Sequence, residues 1–407
     1  MTNLIRTILI IAVLILIMTM VITVHAQVSQ PLGPSSTLQY LTCTEVIPGV
    51  SGSNFSHVIV WLRLSNVTTP NGLLYLLNQL YYSPFSPYYH EFITPQEFAE
   101  WYSPPSYVFN YITKLAAKYG LIVNYTFPML IEATGNASAV DNFLTALQTA
   151  PSNIQQWILA GECIPLGYFT VSKVVPTYKP QYMAIYLNTT GVNAMLNKDA
   201  KVLNKVPMQI FYNNVEIWLP KGLEFIYDEL PLFSSGYTGQ GLTIAIVDAF
   251  GDINFTLASN YVYQNIACQD LATFDSMFGL PPASCQVIYP TGTPVLTPYN
   301  LGTAEGWSYE TALDVEYAHT MAPGAKILLV ISPTSGDDLF VDVEYVVNKS
   351  LANFISLSWG AYEDAFYYPP PSYNLLYGYD EVFMQAAARA LVYSPRRVIV
   401  VPLTQGG

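Results

Sequence analysis

Charge is scarce in this chain: of its 407 residues only 11% are Asp, Glu, Lys or Arg, against roughly 25% in ordinary soluble domains. The 15 Lys and Arg are outnumbered by 28 Asp and Glu, for a net charge of −13. Phosphate backbones are held by clustered positive charge, so this balance argues against nucleic acid as a partner. It also suits an acidic medium, because once the carboxylates take up protons few charges are left to repel one another. Histidine is rarer still, with four residues. Cysteine is as rare, and Cys43, Cys163, Cys268 and Cys285 form no Cys-x-x-Cys pair, which weakens zinc and thioredoxin-type readings.

What is plentiful is apolar and aromatic. Hydrophobic residues make up 52% of the chain and 32 are Tyr, so Tyr, Ser, Thr, Asn and Gln must carry most of the surface. The length allows two or three domains with sizeable cores. One long apolar run, Thr7 to Val24, follows Arg6 and precedes His25-Ala26. It reads as a secretory signal, residues 1–26, cut after Ala26; a retained membrane anchor through residues 7–24 is the alternative, because the run nearly spans a bilayer. Export fits the acceptor sequons at Asn54, Asn66, Asn124, Asn136, Asn188, Asn254 and Asn348. Four cysteines allow three pairings. Cys43 with Cys163 and Cys268 with Cys285 is preferred, because each bridge then stays within one domain of the division drawn below.

After a Pro/Ser/Gly-rich lead-in, Gln27 to Leu41, an ordered unit begins near Cys43. A strand over His57 to Leu64 precedes a helix opened by Thr69-Pro70 and running through Tyr81. Thr94 and Glu97 flank Pro95 as a capping box. Val108, Ile112, Leu115, Ala116 and Tyr119 recur at helical spacing up to Gly120. Strands Leu121 to Phe127 and Met129 to Thr134 and a helix Ser138 to Leu147 complete an α+β, ferredoxin-like alternation within residues 27–166. Residues 167–222 have weak periodicity and gather Lys173, Lys179, Lys198, Lys201 and Lys205, and read as a connecting segment open to cleavage. From 223 to 407, the apolar runs Leu242 to Asp248, Lys326 to Ile331, Phe354 to Ser358 and Val398 to Val401 alternate with helices over Leu271 to Phe278, Tyr309 to Met321, Asp337 to Ala352 and Glu381 to Val392. That pattern indicates a parallel sheet covered on both faces.

The chemistry concentrates on Gly306 to Lys326. Ser308 is placed to cap a helix that Pro323-Gly324 stops, and Glu310 and Asp314 share one face of it. Like charges four residues apart weaken an isolated helix by a few tenths of a kcal/mol, so local stability does not favour the pair. A carboxyl pair that shares a proton in acid is a functional reason for it; a solvated helix face is the bland one.

The pair has company. Gly239-Gln240-Gly241 leads into the strand ending Val247-Asp248, Asp270 to Pro281 follows, and Ile355-Ser356-Leu357-Ser358-Trp359-Gly360 lies downstream. In this order, with Ala322-Pro323-Gly324-Ala325 closing the helix, these runs resemble the sedolisin (serine-carboxyl peptidase) family, in its kumamolisin-like branch. His90-Glu91-Phe92-Ile93-Thr94-Pro95-Gln96-Glu97-Phe98 resembles a signature of that family's activation prodomain, which gives His90 a structural role.

The resemblance implies a subtilisin-like parallel sheet, present in part, behind a ferredoxin-like activation prodomain acting on its own catalytic domain. It implies a secreted zymogen of an acid-acting serine endopeptidase with protein or peptide substrates. Glu310 would be the general base and Asp314 the group that orients it. A carboxylate suits that task, because an imidazole with pKa about 6.5 is protonated in strong acid whereas a Glu near about 4.3 still accepts a proton. A subtilisin-type triad would use Asp248, but only His319 lies in the α/β part, inside the Glu310 helix, so Asp248 reads as a strand-end structural acid and His319 as a helix residue.

The family's nucleophile sits in Gly-Thr-Ser, and no such tripeptide occurs here; nor is there a Gly-Asp-Ser-Gly-like turn for its oxyanion Asp after Val401. Ser356 and Ser358 lie at a strand end rather than on a sharp nucleophile turn. The expectation is therefore a chain truncated in the catalytic domain and inactive as it stands. No cofactor is expected in it, since the family's calcium site lies in the C-terminal part beyond Gly407. The competing expectation is a non-catalytic cell-surface or binding protein derived from the same fold.

Overall fold

Continuous apolar residues from Val58 to Leu62 make a strand with no solvent side, and the first sheet is built around it. The computed structural model describes residues 39–46, 52–167, 201–203, 206–212, 215–360, 373–389 and 399–402. Its first part runs β1 (Gln39–Leu41), the single turn α1 (Cys43–Val46), β2 (Phe55–Leu62), then helices α2 (Leu73–Tyr82), α3 (Pro95–Tyr102) and α4 (Ser106–Lys118). The hairpin β3 (Ile122–Phe127) and β4 (Leu130–Asn136), helix α5 (Ala137–Gln148), turn α6 (Ser152–Gln155) and β5 (Ile158–Pro165) follow. The strands lie in the order β1-β5-β2-β4-β3, antiparallel except where β1 joins β5.

Local chemistry sets these boundaries. Thr94 Oγ1 accepts from the Glu97 amide at 3.2 Å while Glu97 Oε2 accepts from the Thr94 amide at 2.7 Å, which closes the expected capping box of α3. Beyond α4 the backbone reaches φ +77° at Gly120, a left-handed position that glycine adopts without steric cost. Asn136 caps α5 by accepting from the Ala139 amide at 2.8 Å. A disulfide between Cys43 and Cys163, Cα atoms 5.0 Å apart, ties α1 to β5.

Of the connecting segment, 168–200 lie outside the described residues. The stretch after it forms a three-stranded antiparallel ribbon of β6 (Lys201–Leu203), β7 (Val206–Tyr212) and β8 (Val215–Trp218). The α/β part then runs α7 (Pro220–Ile226), α8 (Leu230–Ser234), β9 (Thr243–Ala249), α9 (Phe255–Ala258), α10 (Ala267–Phe278) and β10 (Ser284–Ile288). It continues with α11 (Leu301–Met321), β11 (Lys326–Ser332), α12 (Asp338–Lys349), β12 (Phe354–Leu357), α13 (Tyr373–Arg389) and β13 (Ile399–Pro402). The strands stand in the order β10-β11-β9-β12-β13 and every pair is parallel. Both faces are covered: Val315 of α11 joins Ile246, Ile327, Leu329 and Ile331 in one core, while Val341, Val343, Val346 and Val347 of α12 share another with Ala245, Val247, Leu328 and Val330. A second disulfide, Cys268 to Cys285, joins α10 to β10.

Two expectations change. The Glu310 helix begins at Leu301, so Ser308 lies inside it rather than capping it. Ala304 is fully buried, and Asn300 braces the preceding turn by accepting from the Thr297 amide at 2.8 Å, so tertiary packing carries the helix through Gly302 and Gly306. The last helix likewise starts at Tyr373, ahead of Glu381. Among the described residues no helix is long and apolar enough to cross a membrane; residues 1–26, which the sequence reads as a signal or anchor, lie outside them.

Candidate active site

In a parallel sheet the strand ends converge where chain order reverses, and ligands bind outside the carboxyl ends of the strands there. Here that point lies between β9, whose one side is filled by β11 and β10, and β12, which starts the other side. Asp248 stands next to the end of β9, and Ser358 follows directly after β12. The Trp359 indole N–H donates to the Val247 carbonyl at 2.8 Å and pins the two strand ends together.

Helix α11 starts near this end of the sheet, packs on one face through Val315 and leads back to the start of β11. It buries Ala304, Ser308, Thr311, Val315 and His319, exposes Gly302, Gly306, Tyr309 and Leu313, and sets Glu310 and Asp314 half-buried along the border. Asp314 lies within reach of Ser358, Glu310 and Asp248, which brings three carboxyls into one electrostatic cluster. Burial pushes the Asp314 carboxyl up to about 7; a hydrogen bond with Ser358 opposes this and the charge of Glu310 adds to it. Asp248 is raised well above the usual range, by burial first and by the charge of Asp314 second, with the Thr311 hydroxyl pulling the other way and Glu310 adding.

Both oxygens of Asp248, Oδ2 of Asp314 and the Thr311 hydroxyl are buried without a hydrogen bond of ordinary geometry. Burial of this kind disfavours the ionised form of Asp248. Asp248, read from the sequence as a strand-end structural acid, stands at the end of β9 and interacts with the charges of Asp314 and Glu310. The signal that could have found it was its position: the last-but-one residue of the central strand, beside the helix carrying Glu310.

A second group lies along the same helix. Ser308 donates to Asp252 Oδ1 at 2.7 Å and accepts from the Ile253 amide at 3.0 Å, which ties α11 to the loop after β9. Burial lifts Asp252 to about 7, and Glu316 to about 8 with the charges of Asp252, Asp270 and Asp275 adding. None of the described histidines joins Asp248: His319 Nε2 is 2.8 Å from the Pro281 carbonyl and 3.3 Å from Asp275, His57 pairs with Asp338, and His90 stacks on Tyr89. Among the described residues, no group of three or more His, Cys, Asp or Glu is arranged to hold a metal ion.

No family model matches the chain, and no curated protein matches it. Among solved structures it is similar to the Pseudomonas sedolisin (serine-carboxyl proteinase) complexed with two molecules of pseudo-iodotyrostatin. That similarity is 23% identity over 45% of this chain, at a TM-score of 0.31. The chain spans 43% of that structure's own length.

Proposed function

We propose that Glu310 and Asp314 form the acid/base half of a serine-carboxyl peptidase centre, with Asp248 behind them as a proton reservoir. The observation that carries this is the carboxyl cluster: a fully buried Asp248 beside an Asp314 that burial pushes up to about 7 and that Glu310 also raises. Two carboxyls that share a proton let Glu310 stay ionised in acid, where it can take the proton of an attacking hydroxyl, and Asp314 holds it in position. On this reading Ser358 is a positioning partner of Asp314 rather than the nucleophile. The strand order β5-β2-β4-β3 supports a ferredoxin-like unit for residues 27–166, which would serve as the activation prodomain of a secreted precursor. Its removal would follow cleavage in 167–222.

A general base without a nucleophile forms no acyl-enzyme, and no Gly-Thr-Ser is found in the 407 residues. Purified protein is expected to leave denatured protein substrate intact from about pH 2 to about pH 5. Supplying a polypeptide that carries a Gly-Thr-Ser segment should produce cleavage that Glu310→Gln abolishes and pepstatin does not inhibit. In the same variant the Asp314 carboxyl, followed by NMR titration, should fall below about 7, since the Glu310 charge helps to raise it. Cleavage indifferent to Glu310→Gln, or an unmoved Asp314, would overturn the assignment. No cleavage under any of these conditions would favour a binding protein built on the same fold.

A further inference from the structure

The contact between the first sheet and the α/β layer is held together by acids. From the sheet side, the His57 ring Nδ1 lies 2.9 Å from Asp338 Oδ1 and 4.0 Å from Glu132, and the Trp61 indole donates to Asp337 Oδ2 at 2.9 Å. The Leu64 amide donates to Glu381 Oε1 at 2.9 Å and the Tyr125 hydroxyl to the Pro290 carbonyl at 2.6 Å. From the layer side, Thr334 donates to Asp338 Oδ2, Thr291 and Ser332 donate to Asp342, and the Tyr379 hydroxyl donates to Asp337 Oδ1 at 2.7 Å.

The charges facing one another across this contact are unbalanced. Glu132 on β4 and Glu162 on β5 meet Asp337, Asp338 and Asp342 at the start of α12, and Glu381 on α13 adds a sixth carboxyl with Asp380 beside it. The cations among the described residues there are His57 and Arg63, the latter acting on Glu381. Tyr125 on β3, Tyr345 on α12 and Tyr379 on α13 are the phenols there, and burial raises Tyr125 and Tyr379 above the ordinary range.

We propose that this contact is a pH-gated latch, closed in acid and loosened as the pH rises through neutrality, so that the N-terminal sheet is retained on the α/β layer in acidic surroundings. The physical basis is that opening lets the buried carboxyls ionise in water. Burial lifts Glu132 to about 7, against the opposing pull of His57 and the Asn124 amide, and lifts Asp337 to about 6 against the hydrogen bonds of Tyr379 and Trp61. Burial also raises Glu162, Asp342 and Glu381 well above the usual range. Each such group binds its proton more tightly when the latch is closed. Its contribution is complete below the ordinary carboxyl range and is lost as the pH climbs to the closed-state value.

His57 acts in the same direction. Burial alone would lower it, but Asp338, with Glu132 and Asp342 behind, lifts it to about 9, so its contribution is complete below about 6.5 and is lost as the pH passes about 9. Glu132 alone, moved from 4.5 to about 7, weakens closure by a factor of up to about 300 across its whole titration, from well below the lower value to well above the upper.

The test is hydrogen exchange on the full chain from pH 3 to pH 9, with rates corrected for intrinsic chemistry. Amides of β2 and α12 are expected to lose protection at least about tenfold between pH 5 and pH 8, while β9 and β11 keep theirs. Glu132→Gln and, separately, Asp342→Asn should flatten the profile, and Glu310→Gln, remote from the contact, should leave it as it is. Protection that is constant or rises with pH would overturn the proposal. So would parallel loss in β9 and β11, which is general unfolding, or wild-type steepness in both interface variants.

Discussion

Replacing Trp61 with Phe isolates one hydrogen bond in the contact between the sheets. Trp61 is fully buried, edge-on to Tyr379 at 5.3 Å and to Phe340 at 6.1 Å, and its N–H is one of two donors to Asp337. Phenylalanine keeps an aromatic edge in the same space but leaves Asp337 Oδ2 without its donor. The cost depends on the state of Asp337, whose carboxyl burial lifts to about 6 even with that bond in place. Below that value the acid is neutral and the lost bond is worth about 0.5–1.5 kcal/mol. Above it the lost bond is to a charge, worth about 1.5–3 kcal/mol. The variant's Asp337 also titrates higher, so its closed state goes on losing stability past the pH at which the wild type levels off. Packing loss from the smaller ring adds a term that does not change with pH. The opening free energy of β2, read from native-state hydrogen exchange, should therefore fall in W61F by about 1 kcal/mol more at pH 8 than at pH 4. An equal loss at both values, or a larger one at pH 4, would refute the reasoning.

Other outcomes follow from the N-terminal unit. Thr94→Ala removes the hydroxyl that accepts from the Glu97 amide, leaves the Thr94 backbone N–H to Glu97, and should cost about 1 kcal/mol in thermal or urea unfolding. In the same variant the Glu97 carboxyl, held low by the Thr94 amide and hydroxyl, should titrate closer to its ordinary range by NMR. Replacing Cys43 and Cys163 together opens a loop of sequence separation 120 and should destabilise the unit by about 2–5 kcal/mol in urea titration; no change in midpoint would show that the bridge constrains little.

Much of the architecture is legible in the residues because it is local. The Thr94/Glu97 box, the Gly120 stop and the helical spacing from Val108 to Ala116 depend on neighbours within a few positions, and the structure places α3 and α4 there. Strands β1, β5 and β10 escape a local reading. Ile158–Pro165 is interrupted by Gly161 and Glu162 and is a strand because β2 and β1 bind its two edges, while Ser284–Ile288 is half polar and is fixed by its pairing with β11. The site divides in the same way. Glu310 and Asp314 are visible as a spacing on one helix. Asp248 is visible in the sequence only as an acid near the end of an apolar strand, and it joins them through the packing of α11 on β9, a tertiary fact. Ser308 shows the converse, a residue of the right type to cap a helix whose hydroxyl is used instead to hold Asp252.

The two rows of β2 have different histories during synthesis. Val58, Val60 and Leu62 pack against helices α4 and α5, whose residues come within the next hundred or so. Ile59 and Trp61 wait for α12 and α13, and Gly378, where a Cβ would come within 2.7 Å of the Trp61 ring, belongs to the last of these. At about 5–20 residues per second the intervening chain takes on the order of ten seconds or more to emerge. For that interval only α2 and α3, whose Leu73, Leu76, Leu80, Phe98 and Tyr102 share this core, are at hand, and the row with its indole lacks the cover that α12 and α13 supply. A nascent chain of this protein therefore spends its time on the ribosome with a sticky face outward, and any factor that shields nascent chains has its clearest target between the completion of β5 and the arrival of α13.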